Sequence, residues 1–162
     1  MRIGLYSGPA VVGNMGSKNR MDYTMMGDTV NTAARLEGIN KLYGTYTLIG
    51  ETTCRAADNS LAVREIDSIR VVGKKAPVTI FQLLGYAGDV DEQMQTVVDH
   101  YNRGLQAYRN RSWKQADEYF NKALEISPSD GPSQTMLERC RYFRTDPPAE
   151  GWDRAYDIRT KY

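Results

Sequence analysis

Residues 23–37, YTMMGDTVNTAARLE, constrain the fold more than any other part of the chain. They read as a strand end, a tight turn at Gly27 and a helix opening at Asp28, a residue type suited to an N-cap. Asn31 and Arg35 stand four apart, so at about 100° per residue they project about 40° from each other on one helix face. Fixed side by side, a carboxamide and a guanidinium can hold a sugar oxygen and a phosphate oxygen together. Ala33 and Ala34, on another face, are small enough to let the helix lie close on a sheet. Taken alone, an N-x-x-x-R pair also fits an ordinary exposed polar stripe. The flanking residues separate the two readings.

Upstream, residues 2–7 and 10–15 are short apolar runs joined through Ser7-Gly8-Pro9, a strand–turn–strand signal, and a third strand ends near Tyr23-Thr24. The helix runs to about Tyr43, before Gly44. Thr47-Leu48-Ile49 predicts a strand, residues 51–57 a short helix, and residues 61–72 and 78–85 two closing strands rich in β-branched and aliphatic side chains. Strands outnumber helices here, which predicts an α+β fold with helices on one face.

From Asp89 the texture turns helical. Tyr101, Leu105 and Tyr108 make one apolar stripe, and Ala116, Tyr119, Phe120, Ala123 and Leu124 a second; Asn110-Arg111-Ser112 separates them and Ser127-Pro128 ends the second. Gly104, Ala116, Phe120, Ala123 and Pro128 fall at the small, small, aromatic, small, proline positions of a tetratricopeptide-like helix pair, although His100 and Arg103 replace the Leu and Trp expected early in its first helix. One repeat cannot bury its own face, so a third helix is expected over residues 132–142. Residues 146–152 read as extended, with Trp152 as an anchor. The chain thus divides at residues 1–86, 87–146 and 147–162.

The segments RIGLYSGP (2–9), VGNMGS (12–17), DYT (22–24) and GDTVNTAARL (27–36) occur in order. Together they resemble the C-terminal half of a class III nucleotide cyclase domain. IRVVGKK (69–75) and PVTIF (77–81) look like that domain's closing strands. The resemblance implies a partial ferredoxin-like cyclase sheet followed by the small all-helical, tetratricopeptide-like region. It also implies conversion of a nucleoside triphosphate to its 3′,5′-cyclic monophosphate and pyrophosphate, with two divalent ions, Mg²⁺ or Mn²⁺. Arg35 takes the position that contacts the transition state and Asn31 the position that orients the ribose. Thr24 takes the purine-reading position, where a subset of bacterial adenylyl cyclases carries Thr, so ATP is favoured over GTP; a Thr at a strand end is also simply a good strand residue.

The family's V-K-G-K run, which reaches the triphosphate, has Val72 in place of its first Lys here, leaving Lys74 as the nearer candidate. Lys74-Lys75 before Ala76-Pro77 equally suits a solvated turn. Gly8 to Gly13 has P-loop spacing, but Asn14-Met15 stand where Lys and Ser or Thr are required, which excludes that motif. The family's two metal-binding aspartates lie earlier in its domain, and neither Asp22 nor Asp28 replaces them, so no metal ligand is expected on this chain.

The expectation is therefore a fragment of a bacterial adenylate cyclase, inactive alone, that completes a site with ATP at the interface of a homodimer. The competing expectation is a scaffolding module with a degenerate cyclase half and a helical tail that recruits a protein. A net charge of +1 gives no basic stripe for nucleic acid. Cys54 and Cys140, without C-x-x-C spacing, fit a reducing cytoplasmic setting, and no apolar stretch is long enough to cross a bilayer. The parent is expected in the cytoplasm, with upstream segments as the route for any membrane tether.

Overall fold

The computed structural model describes residues 1–17, 20–71 and 76–158. Its elements run β1 (Ile3–Leu5), β2 (Val11–Ser17), β3 (Arg20–Met26), α1 (Asp28–Tyr43), β4 (Thr47–Gly50), α2 (Glu51–Ala56), β5 (Leu61–Arg70) and β6 (Val78–Tyr86). Three helices follow, α3 (Glu92–Arg109), α4 (Trp113–Ile126) and α5 (Gly131–Thr145), and then a short strand, β7 (Tyr156–Asp157).

A mixed sheet in the order β1-β4-β6-β5-β7 forms the α+β body. β1 runs parallel to β4, and the chain between them passes through α1, as a parallel pair requires a crossover. β6 pairs antiparallel with both β4 and β5. β2 and β3 form a separate antiparallel hairpin that carries exposed apolar side chains, among them Val11, Val12, Met21, Tyr23, Met25 and Met26.

α1 keeps the boundaries its sequence predicts, ending where Gly44 adopts a left-handed φ of 62°. Its start differs from expectation. Gly27 occupies the N-cap position with no side-chain cap, and Asp28 lies in the first turn, where a carboxylate complements the helix dipole. Ala34 is exposed, so it is not the residue that brings helix and sheet together. Gly4 on β1 does that: a Cβ there would overlap the Ala33 carbonyl oxygen and the Glu37 amide nitrogen of α1. Gly4→Ala is accordingly expected to push α1 off the sheet and cost about 1–3 kcal/mol, measurable as a lower melting temperature of the chain.

Side chains of α1, α3, α4 and α5 share one continuous core with β4, β5 and β6, including Leu36, Ile39, Tyr43, Leu48, Ile66, Ile80, Tyr101, Phe120 and Met136. Gly104 of α3 lies under the Phe120 ring of α4, where a Cβ would come within 2.7 Å of the ring. The Tyr101 hydroxyl donates to the Ile66 carbonyl at 2.7 Å, joining α3 to β5.

The last segment returns to the sheet. Arg111 donates to the carbonyls of Pro148, Ala149 and Glu150, and Trp152 packs among Tyr108, Trp113 and Phe143. β7 then pairs parallel to β5 at Ile69–Arg70. No helix among the described residues is long and apolar enough to cross a membrane.

Candidate functional site

Three of the four residues singled out in the sequence lie close along the chain. Asn31 and Arg35 sit on α1, Asn31 exposed and Arg35 half-buried, and Thr24 is exposed on β3, which feeds α1 through Gly27. Among the described residues, no hydrogen bond or ion pair occupies the side chains of Thr24, Asn31 or Arg35. Lys74 lies outside the described residues.

The uncommitted state of Arg35 contrasts with that of other arginines, two of them buried. Arg64 pairs with Asp130, Arg139 with Asp67, and Arg109 with Glu65. An arginine without a carboxylate partner offers its planar, permanently charged fork to an external anion. Thr24 faces Gly13 across the hairpin, and the space over Gly13 is open: a Cβ there would meet nothing within 4 Å. Thr24 itself is exposed, and its hydroxyl both donates and accepts.

The helix that carries Asn31 and Arg35 is fixed along its length. In its first turn the Thr29 hydroxyl donates to the Pro9 carbonyl at 2.7 Å, tying α1 to the loop before the hairpin. In its last turns the buried Asn40 carboxamide donates to the Ile3 carbonyl at 2.9 Å and accepts from the Thr45 hydroxyl at 2.8 Å. Asn40 thus stitches α1 to β1 and to the turn after it. Sequence reasoning missed this residue, although an Asn in an otherwise apolar stripe (Leu36, Ile39, Tyr43) was a visible signal.

Behind the helix lies a buried polar cluster with no sequence forerunner. The Tyr43 hydroxyl donates to Asp67 at 2.6 Å, and Arg139 of α5 pairs with the same carboxylate while donating to the Tyr43 oxygen at 3.1 Å. Burial holds the Tyr43 hydroxyl well above the ordinary tyrosine range, with Arg139 opposing and Asp67 reinforcing that shift, so it remains a neutral donor. A bulge at Ile66 in β5 lets both Ile66 and Asp67 be buried, which delivers the carboxylate to this cluster.

Among the described residues, no group of three or more His, Cys, Asp or Glu stands where it would hold a metal ion.

The profile of the family described as the adenylate and guanylate cyclase catalytic domain matches residues 1–85. The chain is 32% identical over 142 residues to the terminal-differentiation-specific adenylate cyclase of Dictyostelium discoideum, covering 85% of this chain and 7% of that protein. It is 39% identical over 84 residues to adenylate cyclase 1 of Rhizobium meliloti, covering 52% of this chain and 13% of that protein. The chain therefore spans only a small part of these relatives. The crystal structure of the adenylyl cyclase CyaB from P. aeruginosa aligns with a TM-score of 0.42 and 33% identity, covering 51% of this chain and 41% of that one.

Proposed function

This chain belongs to the adenylate and guanylate cyclase catalytic domain family over residues 1–85, and on that premise we propose that it supplies the purine-reading and transition-state half of an adenylate cyclase site. The observation that carries this reading is the pair Asn31 and Arg35, uncommitted to any neighbour among the described residues, on a helix held at both ends. In the proposed reaction the ribose 3′-oxygen of ATP attacks the α-phosphorus and loses its proton. The bond from that phosphorus to the oxygen bridging to the β-phosphate breaks, giving 3′,5′-cyclic AMP and pyrophosphate.

Each residue has one task. The Arg35 fork meets the charge that builds on the five-coordinate phosphorus, where a preorganised donor counts most. Asn31 holds the ribose so that its 3′-oxygen points in line. Thr24 reads the adenine edge, accepting from the amino group or donating to a ring nitrogen. Lys74 supplies a phosphate contact in place of the lysine that Val72 replaces.

The site needs a second subunit. We read the exposed apolar hairpin, Val11, Val12, Met21, Tyr23, Met25 and Met26, as surface that a second copy covers in a homodimer. Carboxylates outside this chain's described residues then hold the Mg²⁺ or Mn²⁺, and the chain alone is inactive. The two free cysteines, Cys140 buried and Cys54 half-buried, suit the reducing cytoplasm in which we place the protein.

The test is an assay of the complete dimeric protein that carries this chain, with ATP or GTP in Mg²⁺ or Mn²⁺, the products separated by chromatography. Cyclic AMP should form from ATP at least about tenfold faster than cyclic GMP from GTP, the discrimination one well-placed polar contact gives. Equal or reversed rates would remove the assignment of Thr24. No cyclic product from either nucleotide would remove the cyclase reading.

A further inference from the structure

α5 meets the end of α1 through one stripe of residues at successive spacings of four. At Gly131 the backbones nearly touch, since a Cβ there would overlap the Tyr43 carbonyl and lie 2.8 Å from the Gly44 Cα. One turn on, the Thr135 hydroxyl donates to the Leu42 carbonyl at 2.9 Å, satisfying one of the carbonyls left free at the end of α1. One turn further, Arg139 donates to the Tyr43 oxygen and pairs with Asp67 of β5. The Tyr156 ring of β7 closes over that guanidinium, 3.5 Å from its centroid.

All three contacts converge on residues 42–44, and Tyr43, Asp67 and Arg139 are buried. Arg35 lies eight residues back on the same helix, about 12 Å along its axis. A helix transmits a rotation or slide at one end to the other, because packed interiors do not deform continuously. A buried ion pair adds little stability over an apolar packing of the same volume, yet it admits only one geometry. That is what a positioning contact needs.

We propose that Gly131, Thr135 and Arg139 of α5 form a positioning element that sets the axial and rotational placement of α1, and with it Asn31 and Arg35. The helical region is then part of the catalytic unit. Its inner side chains are already covered by the cyclase half, as the Tyr101–Ile66 bond and the shared core show, which leaves them unavailable to a recruited protein. The alignment to the Dictyostelium cyclase covers 85% of this chain and so extends past residue 85 into the helical region. The kinetic part of the proposal rests on the cyclase reading above; the mechanical part does not.

Two gentle variants test it, Thr135→Val and Tyr43→Phe, singly and together. Each removes a hydroxyl and leaves the Arg139–Asp67 pair in place. Leu124→Ala, in α4 away from α1, is the control for a general loss of stability. In the 162-residue chain, hydrogen exchange at the amides of residues 29–36 should rise at least about fivefold in the double variant and not in the control. Unchanged exchange there would overturn the proposal even if no cyclase activity exists.

In the complete dimer, assayed well below every melting temperature, the double variant should lose at least about fivefold in kcat with KM within about twofold, while the control keeps its kcat. A smaller loss, or an equal loss in the control, would overturn it. A wild-type dimer that makes no cyclic nucleotide counts instead against the cyclase reading, and the exchange experiment then decides the positioning role alone.

Discussion

Replacing Arg35 with Ala in the complete dimer is expected to lower turnover by about 10²-fold or more while barely changing nucleotide affinity. The reason is where the charge appears. Ground-state ATP carries most of its negative charge on the β- and γ-phosphates, whereas the transition state builds further charge on the oxygens of the α-phosphorus. A guanidinium held beside them acts mainly after binding. Arg35→Lys should recover only part of the loss, because an ammonium keeps the charge and loses the planar fork. Steady-state kinetics on purified protein would check this. A variant with near-normal kcat would end the proposed role.

The largest effect on stability is expected from Asp130→Ala. Asp130 caps α5 by accepting from the Ser133 amide at 3.0 Å, and its two oxygens take Arg64 at 2.8 and 3.1 Å. The Arg64 side chain is fully buried, is also bonded to Gln82, and stands over the Tyr101 ring at 4.8 Å from its centroid. Truncating Asp130 leaves a buried guanidinium short of its carboxylate, at about 3–5 kcal/mol. The lost cap adds about 1 kcal/mol. A small domain holds only about 5–15 kcal/mol in total, so the variant should sit near the edge of folding. Urea unfolding of the 162-residue chain measures the difference, and a loss below about 1 kcal/mol would show that Arg64 finds its charge balance elsewhere. Pairing the change with Arg64→Met, which removes the stranded charge, should restore much of the stability.

These cases also mark how far the sequence could be read. The extent of α1 was legible because the Gly27 turn and Gly44 are local signals, as was the α3–α4 pair from its two apolar stripes. The placement of Asn31 and Arg35 on one helix was legible because their spacing is local too. The polar clusters were not: Asp67 and Arg139 are 72 positions apart and Arg64 and Asp130 are 66 apart, and no window along the chain relates them. β7 escaped notice for the same reason, since two residues have no periodicity and form a strand only because β5 offers an edge. The N-cap reading of Asp28 failed by one position, the usual scatter at a helix end.

The β2–β3 hairpin has a consequence beyond catalysis. A two-stranded ribbon with apolar side chains in water is marginally stable alone. In the proposed homodimer, self-association shelters those side chains and completes the proposed nucleotide site in a single event, which would join folding of the arm and activity in one equilibrium. On that reading, output would vary with the abundance of the protein more steeply than in simple proportion, and dilution by itself would silence it.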